Sequence, residues 1–225
     1  MQAVILAAGL GTRMGELTKK NPKPLLTIEN KTILEHTFAA LPKEVFEVVL
    51  VVGYLKENIQ KYIGNEYEGK KVTYVEQKEL LGTGHALSMC KKVLHDKFIV
   101  LMGDDLYEKK DLEEMVKHPL CILVREIKKD SVEDKYAIAK LNGGGKLSEI
   151  IERQKAKSGD LANCGAYVLD KRYFDYSLVL AGNQTEEYGL PQTFMQMVKD
   201  GAQIDIVRAT KWHNVTNPED LKEGL

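Results

Sequence analysis

The sequence predicts an α/β fold: a mixed, mostly parallel sheet flanked by helices, followed by a smaller lobe that carries hairpins. Short runs rich in Val and Ile alternate with helical stretches through the first 125 residues, which is the pattern of βαβ units. The runs at 48–52 and 98–102 are almost continuously apolar, as in strands covered on both faces. After residue 125 the pattern changes to segments around an Asn-Gly-Gly-Gly turn at 142–145, which indicates a hairpin.

The individual elements follow from this pattern in chain order. The strands expected in the first part of the chain lie at about 3–7, 48–52, 72–75, 98–102 and 121–124. The helices expected between them start at residue 32 and cover about 55–63, 85–94 and 111–116. The first of these helices begins with a capping box formed by Thr32 and Glu35. The second part of the chain contributes strands at about 136–141, 147–151, 162–169 and 204–208, and a helix at about 190–199.

Composition excludes several classes of protein. Of the 225 residues, 44% are apolar and 29% are charged, and the formal net charge is −1. This balance offers no basic excess for a nucleic acid, and no apolar run approaches the roughly 18 residues of a membrane span, so neither partner is expected. The N-terminus lacks the basic region and cleavage site of a signal peptide, and the three widely spaced cysteines fit reduced core residues. We therefore expect a cytoplasmic protein with one domain over residues 1–225.

A glycine-rich segment, LAAGLGTRMG at 6–15, follows the first predicted strand. Small residues at the carboxyl end of a first β-strand let backbone N–H groups approach a phosphate closely. The spacing matches neither Walker A nor the dinucleotide-binding G-x-G-x-x-G pattern, whose third glycine would fall at Met14. From the glycines alone, a phosphate loop and a plain turn both remain open.

Basic residues cluster immediately after this segment. Residues 13–23 contain four basic side chains and a single acid. Pro22 and Pro24 flank Lys23 and restrict the backbone there. A stiffened lysine close to a glycine-rich loop favours anion binding, and a solvated basic loop is the alternative.

These segments resemble the motifs of a known family. The matching stretches occur in order along nearly the whole chain: LAAGLGTRM at 6–14, PKPL at 22–25, Q-x4-GTGHAL at 77–87, VLMGD at 100–104, IE at 151–152, ANCG at 162–165 and WHNVTNPEDL at 212–221. The sequence is similar in these stretches to the sugar-1-phosphate nucleotidyltransferases, the pyrophosphorylases that make nucleotide sugars. The resemblance implies a Rossmann-like nucleotidyltransferase fold, with a nucleotide-binding lobe at about 1–125 and a sugar-binding lobe at about 126–225.

The resemblance also implies which residues bind the nucleoside triphosphate. Arg13 is expected on the departing pyrophosphate, Lys23 on the α-phosphate, and Gln77 on the edge of a pyrimidine base. A solvent-facing Gln77 at a strand end is the alternative, and His85 is expected to be structural or a helix cap. The implied catalytic residues are Arg13, Lys23 and Asp104. The implied nucleotide-binding residues are Leu6, Ala8, Gly9, Gly11, Thr12, Arg13, Gln77, Gly82 and Thr83.

A magnesium site is implied where Asp104 follows an apolar strand. Mg²⁺ takes few protein oxygens and completes its shell with phosphate and water. By resemblance, Asp104 is one ligand, with Asp105 as its competitor, and Asn214 is the other. Thr216 and Asn217 are alternatives to Asn214, and an Asn in place of an Asp leaves this site one negative charge short.

Five positions of the second lobe are implied on the sugar side. They are Tyr136, Ala137, Glu152, Asn163 and Tyr188. Relatives commonly have a glycine in place of Ala137, so its methyl group is expected to narrow the pocket.

The resulting expectation is an enzyme that uses Mg²⁺ to transfer a nucleotidyl group from a nucleoside triphosphate to a sugar 1-phosphate, with release of pyrophosphate. UTP is the expected donor, because LGTGHAL at 81–87 resembles glucose- or N-acetylglucosamine-1-phosphate uridylyltransferases. The alternatives are a thymidylyltransferase that uses dTTP, a phosphocholine cytidylyltransferase that uses CTP, and a non-catalytic regulatory subunit that binds a nucleotide sugar. The oligomeric state stays open, a homo-oligomer included.

Overall fold

The computed structural model describes residues 1–128, 135–182 and 185–222. The strands are β1 (Gln2–Leu6), β2 (Thr27–Ile28), β3 (Lys31–Thr32), β4 (Glu47–Val52), β5 (Glu66–Tyr67), β6 (Lys70–Glu76), β7 (Lys97–Met102), β8 (Asp105–Tyr107), β9 (Cys121–Glu126), β10 (Lys135–Leu141), β11 (Leu147–Lys155), β12 (Leu161–Asp170), β13 (Asp205–Arg208) and β14 (Trp212–Asn214). The helices are α1 (Ile33–Ala40), α2 (Lys56–Ile63), α3 (Gly82–Ser88), α4 (Lys109–Met115) and α5 (Leu190–Lys199).

A mixed sheet with a parallel centre organises these elements. Strand β1 lies between β4 and β7 and is parallel to both, and β6 is parallel to β4 on its other side. The sheet runs in the order β11-β10-β12-β7-β1-β4-β6-β5, with β9 paired to β12 and β13 paired to β9. This arrangement confirms the predicted α/β fold class.

Antiparallel strands from the second half of the chain extend the same sheet. The long strand β12 pairs with β7 at one end and with β9 and β10 along its length. The predicted hairpin is confirmed as β10 and β11, and its turn is closed by Asn142, whose Oδ1 accepts from the backbone N–H groups of Gly144 and Lys146. Strands from both predicted lobes therefore share one sheet.

Helices cover both faces of the parallel strands. Because side chains alternate along a strand, Ala3 and Ile5 pack on one face with Phe38 of α1, while Val4 packs on the other with Phe194 of α5. The predicted capping box is present, since Thr32 Oγ1 accepts from Glu35 N while Glu35 Oε2 accepts from Thr32 N. No helix in the described part of the chain is long and apolar enough to cross a bilayer.

The prediction for α3 was wrong in its bounds. A helix was expected over 85–94, whereas α3 covers Gly82–Ser88. Gly82 has a φ of 90°, and Gly84 N–H donates to the carbonyl of Tyr188, which is distant in sequence. Contacts with the second half of the chain therefore bring residues 82–84 into the helix, and a local sequence pattern cannot predict such contacts.

Candidate active site

Two adjoining cavities open at the carboxyl edge of the parallel strands. We call the first the glycine-loop cavity, of about 570 Å³, and the second the hairpin-side cavity, of about 800 Å³. Both are lined by the same five residues at their boundary: Thr83, Met102, Ala181, Glu187 and Gly189. A molecule bound in one cavity would therefore lie next to a molecule bound in the other.

The glycine-loop cavity brings together the residues expected to bind the triphosphate. Its lining includes Leu6, Ala8, Gly9, Gly11, Thr12, Arg13, Lys23, Gln77, Gly82, Thr83 and Asp104. These residues follow the carboxyl ends of β1, β6 and β7, which meet at one edge because the three strands are parallel. This edge is the usual ligand position in open α/β sheets.

The glycine-rich loop is folded back onto Lys23. Gly11 has a φ of 63°, and a Cβ atom there would lie 3.0 Å from Thr18 Cγ2 and 3.1 Å from Lys23 Cβ. Thr18 Oγ1 closes the loop by donating to the carbonyl of Gly11 at 3.1 Å. Both the left-handed conformation and the close approach require glycine at this position.

Lys23 and Asp104 form an ion pair in this cavity. The Nζ atom of Lys23 lies 2.6 Å from Oδ2 of Asp104. The lysine side chain is only 7% exposed, while that of Asp104 is 40% exposed. A buried ammonium group needs such a partner, and an incoming phosphate can take the place of the carboxylate.

Arg13 is the other cation of the cavity. Its side chain is exposed, and it makes no hydrogen bond or ion pair within the ranges that the structure covers. All its donors are therefore available to an anion. A guanidinium group presents them in a planar fork that matches phosphate oxygens.

Gln77 is buried, with 4% of its surface exposed, which excludes the solvent-facing alternative. Its Nε2 donates to the carbonyl of Gly82 at 3.0 Å and lies 3.1 Å from Nδ1 of His85. His85 is part of α3 instead of its cap, and it helps to fix the orientation of the Gln77 amide. The amide nitrogen is thus occupied, and the carbonyl oxygen is left as the group that can meet a ligand.

Tyr188 lines the glycine-loop cavity, although the sequence placed it on the sugar side. Its N–H donates to Leu81 at 2.7 Å and its carbonyl accepts from Gly84 at 2.8 Å. Leu190 N–H donates to Thr83 Oγ1 at 3.1 Å. Three hydrogen bonds thus connect the expected base-reading segment with residues 188–190.

The hairpin-side cavity contains the other four residues expected on the sugar side: Tyr136, Ala137, Glu152 and Asn163. Asn163 uses both ends of its amide within the protein, because Nδ2 donates to the Tyr167 hydroxyl at 2.6 Å and Oδ1 accepts from Gly165 N at 3.0 Å. Glu152 uses one carboxylate oxygen, since Oε1 accepts from Gln192 Nε2 at 3.0 Å. Of these two residues, Glu152 has the greater remaining capacity to accept from a hydroxyl group.

Asp105 is buried, lines the hairpin-side cavity and is hydrogen-bonded to Asn214. Its carboxylate accepts from Asn214 Nδ2 at 2.6 Å and from Trp212 Nε1 at 3.1 Å. Burial, and next the neighbouring Asp104, raise the pKa of Asp105 to about 8, whereas the donors of Trp212 and Asn214 and the Lys23 charge oppose the rise. A carboxyl group thus contacts Asn214, but its raised pKa leaves it largely uncharged near neutral pH, so it does not supply the negative charge that an Asn at position 214 lacks.

Oxygen donors that suit a hard cation lie along this edge. Asp104 is half-exposed in the glycine-loop cavity, while Asn214 lines the hairpin-side cavity. Val215 N–H donates to the carbonyl of Asp104 at 3.3 Å, so β14 ends beside Asp104, and Thr216 Oγ1 donates to Asn214 Oδ1. Within the described residues no group of three or more His, Cys, Asp or Glu side chains could hold a metal by itself. Mg²⁺ needs only one or two such oxygens when a substrate supplies phosphate, so these residues fit it.

Sequence comparison identifies the family. The sequence model described as nucleotidyl transferase matches residues 2–225. The chain belongs to the nucleotidyl transferase family. This finding confirms the resemblance to the sugar-1-phosphate nucleotidyltransferases and the expectation of an enzyme that transfers nucleotidyl groups.

Several relatives in this family match most or all of the chain. The UTP–glucose-1-phosphate uridylyltransferase AglF of Haloferax volcanii is 31% identical and is matched over 100% of this chain and 95% of its own length. The bifunctional protein GlmU of Methanocaldococcus jannaschii is also 31% identical, but the chain spans about half of that relative, 53% of its length. A D-glycero-alpha-D-manno-heptose 1-phosphate guanylyltransferase of Campylobacter jejuni is 34% identical over 79% of the chain and 80% of its own length.

Solved structures of nucleotidyltransferases have the same fold. A glucose-1-phosphate thymidylyltransferase structure from Bacillus anthracis superposes with a TM-score of 0.83 at 22% identity, over 98% of this chain and 92% of that one. The inositol-1-phosphate CTP transferase of T. maritima superposes with a TM-score of 0.79 at 21% identity, over 99% and 91% of the two chains. These similarities establish the fold, whereas base and sugar preference need separate arguments.

Two residues of the site, Gln192 and Trp212, were assigned no role from the sequence, although Trp212 begins the matching stretch at 212–221. Gln192 lies in the first turn of α5 and resembles any polar residue at a helix start. Trp212 contacts Asp105 across more than 100 residues, and its ring packs 6.2 Å from that of Tyr136. Asp105 could be weighed from the sequence because it adjoins Asp104, but its bond to Asn214 depends on the pairing of β8 with β14.

Proposed function

We propose that this enzyme transfers a uridylyl group from UTP to a sugar 1-phosphate, with Mg²⁺ as cofactor and pyrophosphate as the second product. The observation that carries the proposal is the Lys23–Asp104 pair, which lies in a cavity lined by the glycine-rich loop and adjoining a second cavity. A triphosphate in the first cavity and a sugar phosphate in the second would meet at their shared boundary. Such positioning is the main requirement of phosphoryl-type transfer.

The chemistry needs charge neutralisation more than proton transfer. An oxygen of the sugar phosphate attacks the α-phosphorus, and the bond from that phosphorus to the bridging oxygen of the β-phosphate breaks, so pyrophosphate leaves with the electron pair. Lys23 stabilises the charge on the α-phosphate and Arg13 that on the leaving pyrophosphate. Bound Mg²⁺ would supply further neutralisation of the phosphate oxygens, held through Asp104 with Asn214 as second ligand. No general base is required, because the attacking phosphate is already ionised.

Uracil as the base is supported by the state of the Gln77 amide. Its nitrogen already donates within the protein, so its oxygen is the group left for the base. Uracil and thymine carry an N3–H group from which this oxygen can accept a hydrogen bond, whereas N3 of cytosine is itself an acceptor. The similarity to the uridylyltransferase AglF favours UTP over dTTP and suggests glucose 1-phosphate as the first acceptor to try.

A pyrophosphate-release assay tests this proposal. UTP, dTTP, CTP and GTP are each combined with glucose 1-phosphate, N-acetylglucosamine 1-phosphate and phosphocholine, with Mg²⁺ and with a chelator. We expect the highest kcat/KM for UTP with a sugar 1-phosphate and no turnover after chelation. A preference for CTP with phosphocholine would contradict the proposal. Binding of a nucleotide sugar without any turnover would identify a regulatory subunit instead.

A further inference from the structure

Gln192 and Glu152 form a polar pair in the hairpin-side cavity. Gln192 lies in the first turn of α5, and Glu152 lies on β11. The Nε2 atom of Gln192 donates to Oε1 of Glu152 at 3.0 Å, and both residues line the cavity. This contact joins a helix to the outer hairpin at the point where a sugar is expected.

The carbonyl oxygen of the Gln192 amide is fixed by packing and not by a hydrogen-bond donor. Its Oε1 is buried, and no donor among the described residues reaches it. The atom lies directly over Gly189, where a Cβ atom would be only 1.6 Å away. The side chain therefore occupies the space that a larger residue at position 189 would fill, and this packing turns the amide nitrogen towards Glu152.

The electrostatic consequence concerns Glu152. A lysine or arginine at position 192 would neutralise the Glu152 charge, whereas a neutral amide occupies one carboxylate oxygen and leaves the charge in place. Hydrogen bonds from a hydroxyl group to a charged carboxylate are stronger than those to neutral acceptors. Oε2 of Glu152 remains as the strong acceptor of the pair.

We propose that Gln192 is a positioning residue for sugar recognition: packed on Gly189, it fixes the Glu152 carboxylate so that its second oxygen accepts from a hydroxyl group of the sugar phosphate. The inference rests on the proposed function, and it adds a residue that selects the acceptor substrate. Because the pair lies away from Lys23 and Arg13, its loss acts on the sugar phosphate and not on the triphosphate.

The kinetic test replaces Gln192 and compares the two KM values. In Gln192→Glu the donor is lost and a second carboxylate lies beside Glu152, so we expect the KM for glucose 1-phosphate to rise about ten-fold or more, with the KM for UTP changed less than about two-fold. Gln192→Leu removes the donor without adding charge and should show a smaller rise of the same kind.

Gln196 provides a matched control. It lies one turn further along α5, and its Nε2 donates to the carbonyl of Ser177, away from both cavities. Gln196→Glu should leave both KM values unchanged. If the Gln192 and Gln196 variants behave alike, or if the KM for UTP rises as much as that for glucose 1-phosphate, the positioning role is refuted.

A second variant changes the packing of Gln192 while Gln192 and Glu152 themselves are not replaced. Gly189 has φ −87° and ψ 134°, which any residue adopts, so Gly189→Ala adds no backbone strain. The new Cβ atom would lie 1.6 Å from Oε1 of Gln192 and 3.3 Å from Cβ of Ala181, so the main clash is with Gln192. We expect the same result as for Gln192→Leu: a moderate rise in the KM for glucose 1-phosphate, with little change in the KM for UTP. An unchanged KM for glucose 1-phosphate in Gly189→Ala would contradict the proposed packing.

An activity-independent measurement separates this inference from the proposed function. The side-chain amide signals of Gln192 in ¹⁵N NMR spectra should shift on Glu152→Gln, while those of Gln196 stay in place. Unmoved Gln192 signals would overturn the contact on which the inference rests. A wild-type enzyme that releases no pyrophosphate with any substrate pair would instead overturn the proposed function, and the NMR result would still decide on the contact.

Discussion

At the scale of single residues, two cations and one carboxylate define the proposed reaction centre. Lys23 is buried against Asp104, whereas Arg13 is exposed and unpaired within the part of the chain that the structure describes. The two cations therefore differ in what a phosphate must displace. The phosphate exchanges with a carboxylate at Lys23 but only with water at Arg13.

Removal of Arg13 is expected to affect turnover and not folding. Arg13→Ala should lower kcat about 100-fold or more, as loss of a preorganised donor to a developing charge does in other enzymes. The Tm should barely change, because the side chain is exposed and makes no hydrogen bond or ion pair with any residue that the structure describes. Arg208→Ala is the control, since Arg208 is exposed and paired with Glu126 away from both cavities. An Arg13→Ala enzyme that unfolds easily but keeps its turnover would assign Arg13 to structure.

Asp104 and Asp105 are adjacent but are expected to have separable roles. Asp104→Asn should raise the Mg²⁺ concentration that gives half-maximal rate far more than Asp105→Asn does, and some loss of Tm should accompany it, because a neutral amide is a weaker partner for the buried Lys23 ammonium group. Asp105→Asn replaces one of two accepting oxygens by a donor, which leaves Trp212 or Asn214 unpaired and costs about 1–3 kcal/mol of unfolding free energy. Thermal unfolding and Mg²⁺ titration of both variants check this. A larger change of the Mg²⁺ requirement in Asp105→Asn than in Asp104→Asn would place the metal on Asp105.

Gln77 is expected to determine the choice of base. Gln77→Ala should raise the KM for UTP more than the KM for the sugar phosphate and should narrow the gap between UTP and CTP, because a polar site discriminates against bases that leave it unpaired. Steady-state kinetics with both triphosphates measure this. Equal KM values for UTP in the variant and the wild type would exclude a base-reading role.

At the scale of elements, the segment between β6 and α3 depends on a distant part of the chain. Tyr188 exchanges two backbone hydrogen bonds with Leu81 and Gly84, and Leu190 N–H bonds to Thr83. Helix α5 thus starts where the segment expected to read the base ends. The segment that is expected to contact the base therefore also positions the helix that carries Gln192.

Gly82 is the point at which this connection can be tested. Gly82 has a φ of 90°, and a Cβ atom there would lie 2.5 Å from the carbonyl oxygen of Tyr188. Gly82→Ala should therefore cost about 1–3 kcal/mol of unfolding free energy and raise the KM for UTP. Gly143, in the β10–β11 turn, has open space around its Cα, so Gly143→Ala should change stability by less than about 0.5 kcal/mol. Denaturant unfolding of both variants measures this difference. Equal free energies of unfolding would contradict the role of Gly82 in the connection with Tyr188.

The elements also mark how far local sequence patterns are informative. The buried strands β4 and β7, the capping box at Thr32 and helix α5 follow from apolar runs and caps, which are local signals. The start of α3 could not be predicted, because it is fixed by two backbone hydrogen bonds with Tyr188, which donates to Leu81 and accepts from Gly84. The cavity that Tyr188 lines could not be predicted for the same reason, because it depends on how residues 188–190 bond to the segment that follows β6.

At the scale of the whole molecule, one sheet places two cavities side by side. The parallel centre brings the glycine-rich loop, Gln77 and Asp104 to one edge, and the antiparallel strands add Tyr136, Glu152 and Asn163 next to it. The glycine-rich loop and Asp104 could be predicted at this edge because the carboxyl ends of parallel strands share it, whereas the place of Gln77 was predicted from the family resemblance. The bonds of Asp105 to Asn214 and of Gln192 to Glu152 could not, since they join strands and helices whose contacts no local pattern records.

The most direct test of the central claim is pyrophosphate release by the Lys23→Met enzyme with UTP and glucose 1-phosphate. Methionine fills a similar buried volume without the charge, and Lys19→Met serves as control because Lys19 is exposed and its side chain forms an ion pair with Glu16. We predict that Lys23→Met lowers kcat about 100-fold or more while its folded structure persists, and that Lys19→Met stays within about two-fold of wild type. A Lys23→Met enzyme with wild-type turnover would contradict the assignment of nucleotidyl transfer to this site.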